Sequence, residues 1–272
     1  MRVFYLIVCL PAILAAQEPR EIVRRSVEID RKNLEIARNY TYLERQEVRE
    51  LDGSGKVRNT EAQTSDVTLL EGSPYRRLVA RNDQPLSLKE QNKEEDKLRK
   101  SVEERRKETE EERARRIADW ERRRERQRDP LKELPDAFDF RMVGEEALAS
   151  GEVYVIDATP KPGYKPKLPS AAYFPKVKAR FWIDQKDYHW AKLDVETLDT
   201  ISFGGFLLRV EKGTRLIIEQ AHINDEVWLL KSVTLRASAR VALIKSLHEE
   251  LLITYSDYKK FQVDSRVVST AQ

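Results

Sequence analysis

Three histidines, His189, His222 and His248, are the side chains best suited to move a proton or hold a metal at neutral pH. No two of them stand at metal-ligand spacing, and none belongs to an H-E-x-x-H run. His248 precedes Glu249 and His222 lies near Asp225, but acidic neighbours are commonplace in a chain with 36% charged residues. Each histidine is therefore read as a surface or hydrogen-bonded structural group. The sequence holds no G-x-S-x-G elbow, no phosphate-binding G-x-x-x-x-G-K-[ST] loop and no G-x-G-x-x-G. Acid pairs such as Glu145-Glu146 and Glu249-Glu250 carry no information without geometry. No catalysis is expected, and no metal or cofactor. An exported hydrolase using His189 or His248 ranks last among the functional readings.

The single cysteine, Cys9, lies in the apolar run Val3 to Ala16, which follows one positive charge at Arg2 and ends in small residues. That run is shorter than the roughly 20 residues a membrane-spanning helix needs, so residues 1–16 read as a secretory signal peptide, with an uncleaved anchor as the alternative. Cleavage after Ala16 removes the cysteine, and with it disulfides, thiol catalysis and thiolate metal ligands. A disulfide-free exported protein fits a bacterial periplasm. Lysine and arginine number 50 against 47 acids, a mixed-sign excess that argues against nucleic acid as a partner.

The elements that would position a site follow from periodicity. Ile22, Ile29 and Ile36 recur at sevens beside Val23, Val27 and Leu34, an amphipathic helix over Pro19 to Asn39 opened by proline and acids. The pattern then changes to strands: Tyr40 to Leu51, a turn at Asp52-Gly53-Ser54-Gly55, Lys56 to Leu70, and Pro74 to Asp83. Leu88 to Arg128 holds 16 basic and 13 acidic residues with no glycine or proline. Acids repeatedly stand four before bases, so this segment is expected as a solvated projecting helix or helical hairpin, unable to cover an apolar face.

Strands resume with Gly151 to Pro160, and Lys161 to Pro169 is a proline-rich loop. "RFWIDQKDYHWAKLDVE" (Arg180 to Glu196) is a hairpin. One row, Ala179, Phe181 and Ile183 with Ala191, Leu193 and Val195, is apolar; the other, with Arg180, Trp182, Asp184, Trp190, Lys192 and Asp194, is expected to face solvent. A hairpin turning at Lys212-Gly213 and a strand after Asn224-Asp225 follow, with a bulge expected at Gly204-Gly205. Arg240 to Tyr258 fits helix and strand alike, and a long strand is favoured. The organisation expected is a leader (1–16), a helix and first strands (17–87), a charged insertion (88–130), the remaining strands (131–268) and a tail (269–272).

The ordered set "YTYLERQEVRELDGSGKV", "FWIDQKDYHWAKLDVE", "DEVWLLKSVTL" and "YSDYKKFQVDSRV" resembles the LolA-type outer-membrane lipoprotein-sorting proteins. The resemblance covers Glu18 to Tyr42 loosely and Gly151 to Val268 better; the charged insertion lies outside it. It implies a mainly β fold: a curved antiparallel sheet, or incomplete β-barrel, covered by the N-terminal helix, whose apolar interior binds acyl chains. Relatives of that fold include both carriers and an envelope-stress sensor. The leading expectation is thus a periplasmic carrier of acyl lipid or lipoprotein, with transient membrane contact and with Phe181, Ile183, Leu193, Val195, Phe206 and Leu208 lining its concavity. The alternatives are a filled core behind the same residues, and an envelope sensor whose charged helix contacts a protein partner.

Overall fold

The computed structural model of the chain describes residues 18–203, 208–241 and 245–261. The expected signal peptide, the Gly204-Gly205 bulge and the C-terminal tail lie outside these. Helix α1 (Pro19–Ala37) starts on Pro19 with Glu21 in its first turn and buries one stripe, Ile22, Val23, Ser26 and Asp30. Strands β1 (Tyr40–Leu51), β2 (Val57–Leu70), β3 (Ser73–Arg81) and β4 (Gln84–Pro85) follow, then helices α2 (Leu88–Lys107) and α3 (Glu110–Arg128). A 3-10 turn at Asp129–Glu133 and the short α4 (Leu134–Ala137) lead into β5 (Phe138–Leu148), β6 (Gly151–Pro160), β7 (Val177–Asp184) and β8 (Trp190–Thr197). The chain continues through β9 (Ile201–Phe203), β10 (Leu208–Val210), β11 (Arg215–Ile223), β12 (Val227–Val241) and β13 (Lys245–Lys260). Of the ambiguous segment, residues 240–241 end β12 and residues 245–258 lie in β13, while 242–244 lie outside the described residues.

The strands form one antiparallel sheet in the order β4-β3-β2-β1-β13-β12-β11-β8-β7-β6-β5, with β9 and β10 branching from β12. The sheet is curved and unclosed, as an incomplete barrel, with β4 and β5 at its edges. Its outer face carries ion pairs across neighbouring strands, including Arg180 and Arg141 on Asp157, Lys178 on Glu196, and Arg49 and Arg236 on Glu250. Much of the mixed charge therefore lies on a solvated sheet face as well as on the insertion.

The β7–β8 hairpin corrects the expected alternation. Trp182 pairs with Lys192 but Ile183 pairs with Trp190, which leaves Ala191 as an extra residue. This bulge turns Trp190 inward, because one added residue shifts the two-residue side-chain period. Its indole meets the Phe181 ring edge-on at 5.7 Å, and its Nε1 donates to Ser26 Oγ at 2.7 Å. Ala191 instead packs with Val153, Val155 and Trp182. Asp184 and Trp182, expected in solvent, are also buried. Asp184 accepts the backbone N–H groups of Lys186 and Asp187 and so builds the turn, while Trp182 donates to Glu146.

Phe181→Ala should therefore lower unfolding free energy by about 3–5 kcal/mol in urea titration, whereas Lys178→Ala on the outer face should change it by less than about 0.5 kcal/mol.

Candidate functional site

None of the five described residues among the sequence-expected lining borders the open space under the C-terminal half of α1. Phe181 and Ile183, 1% and 0% exposed, sit in a closed core with Ile22, Val23, Leu134, Ala137, Phe138 and Phe174. Leu193 and Val195 are half-buried and pack against that core. Leu208 is half-buried on β10, opposite Phe203 and Val241, and Phe206 lies outside the described residues. The core is filled because the proline-rich loop folds back onto it. The Glu133 carboxylate accepts the N–H groups of Lys167 and Leu168 at 2.9 and 2.6 Å and the Tyr164 hydroxyl, which pins the loop down.

Open space lies under the other half of α1. A cavity of about 350 Å³ is bounded by the C-terminal half of α1, by α3, and by β1, β2, β12 and β13. Val67, Leu69, Leu229 and Leu230 contribute aliphatic wall, and Leu34, Ala37 and Trp120 form the helical side. Tyr42 stands 5.6 Å from the rings of both Tyr255 and Tyr258, and Tyr40 lies 6.4 Å from Tyr258. Burial raises the phenol pKa of Tyr42, Tyr255 and Tyr258, so all three remain neutral hydroxyls. The Tyr258 hydroxyl donates to the Leu230 carbonyl. At the cavity's sheet end Glu44 is buried and held by Arg76 through both guanidinium nitrogens.

Helix α3 reaches this cavity because the charged insertion does not project. It breaks at Glu108, and each half starts with its own capping box: Ser87 with Glu90, and Thr109 with Glu112. Arg105 donates to the carbonyls of Leu70 and Ser73 at 2.6 and 3.1 Å, and Arg116 to Ser73 Oγ and the Glu71 carbonyl at 2.6 and 2.9 Å. These bonds tie the α2–α3 corner to the β2–β3 turn. Gly72 in that turn has φ +84°, and a Cβ there would lie 2.7 Å from Ile117 Cδ1. At the far end Arg128 pairs with the buried Asp30 of α1 at 2.9 Å. Between the anchors Trp120, Arg124 and Gln127 line the cavity. The expectation that the insertion cannot cover the sheet is thus corrected. Its long arginine stems lie along protein surface while their guanidinium heads find carbonyls and carboxylates.

Cations around the cavity differ in their partners. Arg38 pairs with Glu35 and Glu121, each at 3.2 Å, and Arg128 with Asp30. Arg124 has no carboxylate within 4.0 Å among the described residues. It lies 5.0 Å over the Trp120 ring and makes one long bond, 3.4 Å, to the Leu34 carbonyl. Burial, reinforced by Arg128 and Arg38, lowers its pKa from the ordinary guanidinium value, against the pull of Glu35 and Tyr42.

Solved structures similar to this chain include a DUF1329-family protein from Desulfovibrio piger, at 9% identity and TM-score 0.34 over 92% of this chain and 95% of that one. A putative outer membrane lipoprotein-sorting protein domain from Vibrio parahaemolyticus matches at 10% identity and TM-score 0.35, over 90% and 95%. A LolA superfamily protein from Nitrosomonas europaea matches at 11% and 0.25, over 91% and 94%. Proteins of the kind the sequence resembles are thus among those the chain is similar to. No family model matches the chain, and no curated protein does. With identities near a tenth and TM-scores below 0.5, these likenesses carry no functional argument.

Among the described residues no group of three or more metal-ligating side chains is placed to hold a metal ion. One histidine is nevertheless unusual. His189 is 1% exposed, with Nδ1 3.3 Å from the Trp190 carbonyl and its ring stacked on Trp228 at 5.4 Å. Nδ1 therefore carries the proton of the neutral ring. Nε2 has no hydrogen-bond partner and lies 4.0 Å from Asp30 Oδ1. Burial lowers the imidazole pKa below 6.5; Asp30, the Trp190 carbonyl and Asp187 oppose that shift, and Arg128 adds to it.

The sign of the pH effect follows. Below about pH 6.5 the unfolded chain holds a proton that the folded ring resists, so stability is full above that pH and falls below it. His189→Gln should remove up to about 1.4 kcal/mol per pH unit of that slope between pH 5.5 and 6.5, read from urea midpoints. An unchanged slope would contradict the assignment.

Proposed function

We propose that the protein is an exported, non-catalytic binding protein that carries an acyl chain, free or on a lipid or lipoprotein, in the cavity between α1, α3 and the sheet. One observation carries this reading: the aromatic and aliphatic space of about 350 Å³ under α1 and α3, a size within the range of small-molecule sites. Its walls come from neighbouring strands, which carry further apolar residues along the sheet. Ile218, Val233 and Ile253 stand opposite one another across β11, β12 and β13. All three are half-buried, and Ile218 and Ile253 each lie two residues beyond a cavity-lining residue of the same strand. A flexible apolar tail suits such a strip better than a compact polar ligand does. The apolar run of residues 1–16 supports placement in the periplasm.

Native mass spectrometry of the purified protein should find bound acyl lipid, and delipidated protein should take up one fluorescent fatty acid per chain. Leu69→Trp, which fills the cavity, should weaken uptake by about tenfold or more while urea unfolding stays cooperative. Lipid-free protein that takes up no fatty acid would sink the proposal.

A further inference from the structure

The cavity opens beside a second, larger groove. This groove, about 730 Å³, runs along the outside of α1 and the end of α3, and it shares Leu34 and Arg128 with the cavity. Four carboxylates line it, and three are engaged: Asp30 by Arg128, Asp129 by Lys132 and Glu35 by Arg38. Arg31, Lys32 and Arg126 line it too, with no carboxylate within 4.0 Å among the described residues. Elsewhere many arginines meet acids across strands or along helices, although Arg25 stacks on the Tyr188 ring and Arg105 donates to carbonyls. Here uncompensated positive charge gathers at the mouth of an apolar space.

Arg124 lines the inner cavity beside Leu34, one of the residues the two spaces share. The half-buried Arg124 guanidinium has no carboxylate within 4.0 Å among the described residues, Glu35 acts on it only from farther off, and its close contacts are the Trp120 ring and one long carbonyl bond, so an incoming anion restores part of what burial removed. Its planar fork suits the two oxygens of a carboxylate or phosphate. We propose that the ligand is an anionic amphiphile: its tail enters the inner cavity, its carboxylate or phosphate head pairs with Arg124, and Arg31, Lys32 and Arg126 draw it in from the outer groove. This rests on the acyl-binding reading above and adds to it the charge of the head.

The test compares myristoyl lysophosphatidylglycerol with myristoyl lysophosphatidylcholine, which share a tail and differ in net charge, by isothermal titration of the full chain below their micelle concentrations. The anionic lipid should bind about tenfold more tightly at low ionic strength, and rising salt should shrink that ratio. Arg124→Gln should bring the ratio near one with phosphatidylcholine-type binding kept, and Arg124→Lys should restore part of it. Lys32→Gln with Arg126→Gln, both exposed and unpaired, should lower the ratio without affecting the fold. Equal wild-type affinities would overturn this inference and leave the cavity reading standing. No binding of either lipid would overturn both. Inorganic phosphate that displaces the anionic lipid at millimolar concentration would reassign the groove to a free anion and overturn the amphiphile.

Discussion

One helix must cover the inner face of a sheet much wider than itself. The main path of the sheet has eleven strands, which at about 4.8 Å apart spans close to 50 Å. Helix α1 has 19 residues, about 28 Å at 1.5 Å each. Curvature narrows the difference but does not close the sheet. The N-terminal half of α1 seals β5 to β8 with the help of α4 and the pinned proline-rich loop. Its C-terminal half cannot seal β1, β2, β12 and β13 as well, and a second covering element is needed there.

Helix α3 supplies it by an uncommon means. Its inward stripe consists of Arg113, Arg116, Ile117, Trp120, Arg124 and Arg128, which recur at helical spacing, and only two of these are apolar. The helix is held at its ends by directed hydrogen bonds and an ion pair rather than along its length by burial, and it buries no residue fully. Such a cover keeps the space beneath it from collapsing, because no row of large apolar side chains descends into it. The Asp30–Arg128 pair closes the end nearest the filled core, with His189 beneath it.

Much of this was legible in the sequence. The helix at Pro19, the antiparallel strands and the C-terminal strand follow from periodicity and turn residues, and the curved open sheet from the family resemblance. Cavity wall and filled core are both open readings of the Phe181–Ile183 face, because alternation shows which residues share a face but not how deep that face lies. Phe181 and Ile183 do point inward, toward α1. Trp190 was assigned to the wrong face since nothing in "YHWAKL" marks Ala191 as the bulged residue. The cavity side of α3 was hidden by composition: a stripe two-thirds arginine has the charge pattern of a solvated helix. Tyr42, Tyr255 and Tyr258 were in view as strand residues, but only the β1–β13 pairing brings them together.

The central claim is spatial: the ligand site lies under α3, not behind the β7–β8 hairpin. A crystal structure of the full chain grown with a bromine-tagged fatty acid tests it directly, since anomalous scattering locates the bromine without reference to any fitted model. The expected result is a bromine peak between Trp120, Tyr42 and Tyr255 with α3 in place. A peak among Phe181, Ile183 and Leu193, or bromine only on the outer surface, would contradict it.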